Sequence, residues 1–277
     1  MQTHIIFFSG GLGSFSTAHL VKKNNPNDNI ILLFTDTLWE DYDLYRFIYE
    51  SSDKLRLPML KLEKGLNPLE LMQKDNFLYN SRIARCSIEL KVKPARDYIF
   101  KNKYTENYEW YNKQYLKLEE FENPILYFGI GYQEIHRTHS IIKNWLPFES
   151  KFPLVDEIVD NKELLKMYDI EIPRLYKLGF AHNNCAGRCI KGGQGHWVNL
   201  LKEDYQLFQE MRDFEIAMNG IINAKKGTDN KYSFLKKMKN GVYEPYQLQE
   251  LEDDFNKRPK QIDMFDIGTC GCFIDEQ

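Results

Sequence analysis

The chain reads as an α/β protein built on a parallel, doubly wound sheet, and three features of its sequence predict this. Short apolar runs, "HIIFF" (4–8) and "NIILLFTDT" (29–37), have the length and composition of strands buried on both faces. Helical stretches, "SFSTAHLVKK" (14–23) and "WEDYDLYRFIYESSDKL" (39–55), separate them from each other and from a third short run, "PMLKL" (58–62). Strand, helix, strand, helix, strand in that order makes a parallel sheet with crossover helices. The first junction, "FFSGGLGSFS" (7–16), crowds three glycines into four positions between two serines.

Each later element follows from a local signal. Phe15, Ala18 and Val21 share one face of the first helix, and Lys22 and Lys23 sit at its end, where the helix dipole favours cations. "NPLELMQKD" (67–75) opens a helix with Asn67 as N-cap and Pro68 at the first position. "SIELKVKPARDYIFKN" (87–102) is helical and is split or started at Pro94. The polar, tyrosine-rich stretch 102–124 is read as an insertion, partly helical, and "ILYFGIGY" (125–132) as the next strand. "NKELLKMYDIEIPRLYKLGF" (161–180) is mostly helical, with Pro173 opening a second helix. From His182 the character changes: glycine and cysteine dominate "NNCAGRCIKGGQGHW" (183–197), helices return through 201–221, and the sequence closes on "DIGTCGCFIDEQ". The expected division is an α/β domain over 1–181 and a small, helical, cysteine-bearing unit over 182–277.

At 277 residues, with 43% hydrophobic and 14% aromatic side chains, the chain can bury a core of its own. A net charge of -3 gives no global reason to expect binding to nucleic acid or membrane. "MQTHIIFF" is too short for a leader and reads as the first strand, so a cytoplasmic location is expected. The six lysines between Lys225 and Lys239 read first as a solvated face.

The glycine loop carries the first chemistry. A strand, a glycine-rich turn and a helix N-terminus together present backbone N–H groups to a phosphate. Ser9, Gly10, Gly11, Gly13 and Ser14 are the candidate contacts. No lysine follows the loop, which excludes the G-x-x-x-x-G-K form, and the glycine spacing excludes G-x-G-x-x-G. Cys185 and Cys189, with Cys270 and Cys272, form two short pairs whose thiolates can hold zinc or an iron–sulfur cluster. His182 and His196 flank the first pair as spare nitrogen ligands.

Taken together, five segments resemble the phosphoadenosine-phosphosulfate reductase family, within the PP-loop ATP pyrophosphatases. Ser9-Gly10-Gly11-Leu12-Gly13-Ser14 resembles S-G-G-x-D-S, with Gly13 at the acidic position, and Asp36-Thr37 resembles the D-T closing the second strand. "CSIELKVKP" resembles a cysteine-then-K-V-x-P segment through Cys86, Lys91 and Pro94. "GIGYQEIHR" resembles G-I-R-x-x-E-S-x-R through Gly129, Glu134 and Arg137, with Gly131 where an arginine is usual. The passage from "FPLVDE" to "KLGF" resembles the one that precedes the family's cysteines, so the likeness spans about residues 5 to 196.

The resemblance implies a sheet that binds ATP or an adenylylated sulfate, with the loop on the phosphates. It assigns Lys91 and Arg137 as phosphate cations, and Glu134 to magnesium or to the orientation of Arg137. Asp36 and Thr37 would line the nucleotide pocket beside Gly129, with Asp36 on a ribose hydroxyl or on Mg2+. Cys86 is then a cluster ligand or a carrier of activated sulfur. The leading expectation is cleavage of the α–β bond of ATP to adenylylate an acceptor for sulfur, amide or thiol transfer. A second is reduction of an adenylylated sulfate with Cys270 as nucleophile, although Thr269 and Phe273 depart from the family's C-terminal motif. A third is a nucleotide-binding module of a nucleic-acid modification or defence complex, with tRNA, DNA or a sulfur-donor protein as partner. An oligomer is compatible with all three.

Overall fold

In the computed structural model, which describes residues 1–258 and Asp266, β1 (Thr3–Phe7) leads through the glycine loop into α1 (Leu12–Asn24). β2 (Asn29–Asp36) leads into α2 (Tyr42–Leu55), and β3 (Met59–Glu63) into α3 (Pro68–Asp75). A π-helix (Ser87–Val92) runs directly into α4 (Lys93–Lys101), followed by β4 (Asn107–Tyr111), β5 (Ile125–Tyr127) and α5 (Thr138–Trp145). Then come β6 (Ser150–Lys151), α6 (Pro153–Asp156), α7 (Asn161–Tyr168) and α8 (Arg174–Lys177). The rest comprises α9 (Gln194–Glu203), α10 (Tyr205–Lys226), β7 (Leu235–Lys239), β8 (Val242–Tyr246) and α11 (Leu248–Lys257).

Six strands form one sheet in the order β4-β3-β2-β1-β5-β6, parallel throughout except for β4 against β3. This is the doubly wound α/β sheet that the apolar runs predict. Alternate residues feed two cores: Ile6, Ile30, Leu32 and Phe34 meet Phe15, Phe47 and Ile48 on one face. On the other, Ile5, Phe7, Ile31 and Leu33 meet Val92, Ala95, Tyr98 and Trp145. Burial on both faces explains why the strands read as unbroken apolar runs. Phe7 lies opposite Leu33, and Ile6 opposite Tyr127, so β1, β2 and β5 end on a common edge. The strand order reverses at β1, and ligands of open α/β sheets bind in the crevice at such a point.

The described chain divides into two compact units, one of Met1–Leu66 with Ser87–Arg174, the other of Asn67–Cys86 with 175–258 and Asp266. The division at 181/182 read from the sequence stands as a proposal beside this one. No helix among the described residues is long and apolar enough to cross a membrane.

Local chemistry explains most boundaries. Asn67 accepts the Leu69 and Glu70 N–H groups at 2.9 and 3.0 Å, while Glu70 Oε2 accepts the Asn67 N–H at 2.8 Å. This reciprocal cap fixes the start of α3. Asn67→Ala is expected to cost about 1 kcal/mol, read as a lower midpoint in urea denaturation. The insertion 102–124 differs from the expectation. Its one helical element is a 3₁₀ turn at Lys113–Tyr115, and its main element is β4, antiparallel at the rim of the sheet. Alternation in "NYEWY" is the cause: Trp110 packs on the second core and Tyr111 on the first.

In the second unit a β-hairpin joins the expected helices, turned by Asn240 (φ +51) and Gly241 (φ +80). Glu215, on α10, is fully buried and ties this region together. Its Oε1 accepts the Phe234 N–H at 2.7 Å and its Oε2 the Leu248 N–H at 2.6 Å.

Candidate functional site

The carboxyl edge of the sheet gathers three loops of the first unit, and the glycine loop after β1 comes first. Gly10 turns left-handed (φ +75), and a Cβ there would stand 2.8 Å from Leu44 Cγ and 2.9 Å from Ile48 Cγ2. Gly11, a residue without a side chain, is the N-cap of α1, and the helix has no acidic residue in its first turn. A helix start left in that state favours an anion. The Ser14 hydroxyl donates to Gly11 O at 2.8 Å, and Ser9 Oγ lies 3.5 Å from Ser14 Oγ.

Gly13 is bare for a reason the sequence does not display. A Cβ on Gly13 would stand 2.9 Å from Gly129 O, and one on Gly129 would stand 2.7 Å from both Gly13 C and Ser14 N. The two backbones therefore touch where the loops after β1 and β5 flank the reversal of strand order. An acidic side chain at position 13 has no room.

The second loop follows β2. Asp36 is buried, and its Oδ1 accepts the Leu38 N–H and the Tyr45 hydroxyl, each at 2.8 Å. Burial pushes its carboxyl above the ordinary range, and Glu40 adds to the rise, against the lowering by the two hydrogen bonds. Leu38 holds φ +54, so the chain turns sharply after Thr37. The Thr37 hydroxyl donates to Glu40 Oε1 at 3.0 Å, and Lys91 Nζ donates to the same oxygen at 3.2 Å. Both charged side chains are almost wholly enclosed, Lys91 at 6% exposure and Glu40 at 1%. Lys91, expected as a phosphate cation, thus meets a carboxylate that the sequence reading passed over.

The third loop runs from Gly129 into a 3₁₀ turn at Tyr132–Arg137. Arg137 is buried and pairs with Glu134, whose side chain remains 41% exposed. Of the two expected roles for Glu134, this contact corresponds to the orientation of Arg137. A side chain at Gly131 would meet open space. A magnesium ion brought with a polyphosphate would find Glu134 the most accessible of these carboxylates.

The remaining candidates fall in the second unit. Cys86 is half-buried and ends the segment that begins at Asn67. Cys185 (φ +57), Ala186 (φ +49) and Gly187 (φ +77) make three successive left-handed residues, closed by the Arg188 N–H on Cys185 O at 2.8 Å. His196 Nε2 bonds Gly187 O at 2.8 Å. Burial pushes His196 down to about 4, so the neutral ring donates that proton. His182 stacks on it with ring centroids 5.1 Å apart. Cys270 and Cys272 lie outside the described residues, and among the described residues no cluster of three His, Cys, Asp or Glu is placed to hold a metal. Asp266 accepts the Gly195 and Gln194 N–H groups at 2.7 and 3.2 Å and so caps α9. In the lysine-rich stretch, Lys231 pairs with Glu250, Lys237 with Asp254 and Lys239 with Glu244.

Residues 3–135 match the family model described as the phosphoadenosine phosphosulfate reductase domain. That range includes the phosphate loop, Asp36, Lys91, Gly129 and Glu134, and stops short of Arg137. A search of curated proteins finds no match to the chain.

Proposed function

We propose, from the match of residues 3–135 to the phosphoadenosine phosphosulfate reductase domain, that the chain is an enzyme of the PP-loop kind that binds ATP and cleaves its α–β bond. An acceptor atom attacks the α-phosphorus, the bond from that phosphorus to the bridging oxygen breaks, and pyrophosphate leaves with the electron pair. The acceptor carries away the adenylyl group for amide, thiol or sulfur transfer.

One observation carries this reading. The N-terminus of α1 follows a glycine-rich turn, is free of acids in its first turn, and is set at the point where the strand order reverses. Loop N–H groups there, with Arg137 and Lys91, would stabilise the charge that grows on the leaving pyrophosphate. Calorimetry should detect ATP binding, and turnover with an acceptor should release pyrophosphate. Absence of binding heat, or release of inorganic phosphate alone, rules the reading out.

The family match itself favours a second reading, reduction of an adenylylated sulfate through Cys270. Thioredoxin-dependent sulfite release that is lost in Cys270→Ser would select it. We further propose that Cys185, Cys189, Cys270 and Cys272 hold zinc or an iron–sulfur cluster. The neutral His196, bonded to Gly187 O within the turn that begins at Cys185, supports a fixed presentation of that thiol. Iron and absorbance analysis of anaerobically purified protein decides between the metals.

A further inference from the structure

We propose that Glu40 is a positioning residue of this site, holding the Lys91 ammonium at the carboxyl end of β2, where a nucleotide phosphate can meet it. The inference rests on the reading of the first unit as a nucleotide site, and four observations carry it. Lys91 stands on a six-residue π-helix, Ser87–Val92, a form that appears mostly at functional sites. Pro94, which lacks an N–H, follows two residues later and cannot continue the regular bonding pattern of the preceding turn. The wide turn packs against β2 and sends Lys91 into the loop after that strand, where Glu40 Oε1 accepts its proton at 3.2 Å. Thr37, the residue next to Asp36, donates to the same oxygen at 3.0 Å and so fixes which carboxylate atom faces the ammonium.

The enclosure of the pair gives it consequence. A buried ammonium without an anion is costly, and the penalty is met by ionisation, movement or a partner. Glu40 supplies such a partner. An ammonium has three donors, so Lys91 can meet a phosphate near the first turn of α1 with one of them while Glu40 keeps another, and neither charge is left unmatched. Glu40 acts through Lys91 and needs no contact with the nucleotide.

Two measurements test this, the first independent of nucleotide. Under an amine acylating reagent, with peptides read by mass spectrometry, Lys91 of the native chain should react far more slowly than Lys101. In Glu40→Gln, Lys91 labelling should speed up about fivefold or more as the ammonium loses the Glu40 carboxylate. In Thr37→Val, a milder change, labelling should rise less. Unchanged Lys91 reactivity in both variants overturns the proposal.

The second measurement is ATP affinity by calorimetry in a double-mutant cycle. Glu40→Gln should weaken binding about tenfold when Lys91 is present, and change it by less than about twofold in the Lys91→Met background. Equal losses in both backgrounds would show that Glu40 acts on its own or through the fold, and no loss in either would show that it does not act. If the native chain binds no adenine nucleotide, the nucleotide reading fails, and the labelling arm still decides whether Glu40 holds Lys91.

Discussion

Gly13→Asp is expected to destabilise the chain by about 2 kcal/mol and to abolish ATP binding, although it writes the family's usual acid back into the phosphate loop. A Cβ at that position already stands 2.9 Å from the carbonyl oxygen of Gly129, so a carboxylate must force apart two backbones at the reversal of strand order. The added negative charge would also occupy the positive end of α1 that an incoming phosphate would use and repel that phosphate. Urea denaturation and calorimetry read the two effects separately. The matched control is Gly131→Arg, which supplies the other group that the family usually carries. Position 131 has φ -91 and open space around its Cβ site, so stability should stay within about 0.5 kcal/mol of the native chain. Native stability in Gly13→Asp would refute the account of the Gly13–Gly129 contact.

The second large effect belongs to Glu215. Burial pushes its carboxyl up to about 7 from an ordinary 4.5, with Glu250 adding to the rise, while the Phe234 and Leu248 N–H bonds and Lys231 pull it down. Between those two values the folded chain binds this proton more tightly than the unfolded chain does. Glu215's contribution is therefore complete below about pH 4.5, declines as the pH rises to about 7, and changes little above that, for a total of roughly 3 kcal/mol. The difference in stability between native chain and Glu215→Gln should shift by that amount between acid and neutral pH. Hydrogen exchange at the Phe234 and Leu248 amides supplies the local readout, faster at pH 7.5 than the intrinsic rate change predicts. Glu215→Ala removes both acceptors and the titration together, so its cost should be largest below about pH 4.5 and smaller by the same roughly 3 kcal/mol above about pH 7. A pH-independent difference between native and Gln chains would eliminate the titration.

Much of the fold is legible along the chain because its signals are local. Ile5, Ile6, Ile31 and Leu32 announce strands covered on both faces, Asn67 and Pro68 a helix start, and Pro94 the break between the π-helix and α4. Asn240-Gly241 is a strong turn signal between two short strands, but it lies among lysines that read first as a solvated face. β4 was obscured because its alternation uses aromatics against polar residues in a stretch that is polar overall. The site residues that escaped notice share a different cause. Lys91 meets Glu40, and Gly13 meets Gly129, only after the sheet has brought distant loops to one edge. A glycine count shows that side chains are missing, not which backbone fills the space.

The two rims of the sheet bear on how copies of the chain can meet. β6 spans two residues, too few to template another strand, whereas β4 presents five. Tyr108 on that strand is largely exposed, yet Glu109 occupies its centre, already matched to Lys61 at 2.9 Å. A second copy laid antiparallel against β4 and centred there would set Glu109 facing its own duplicate. Like charges directly opposite are unfavourable, so the inserted strand discourages fibre-like stacking along the rim of the sheet.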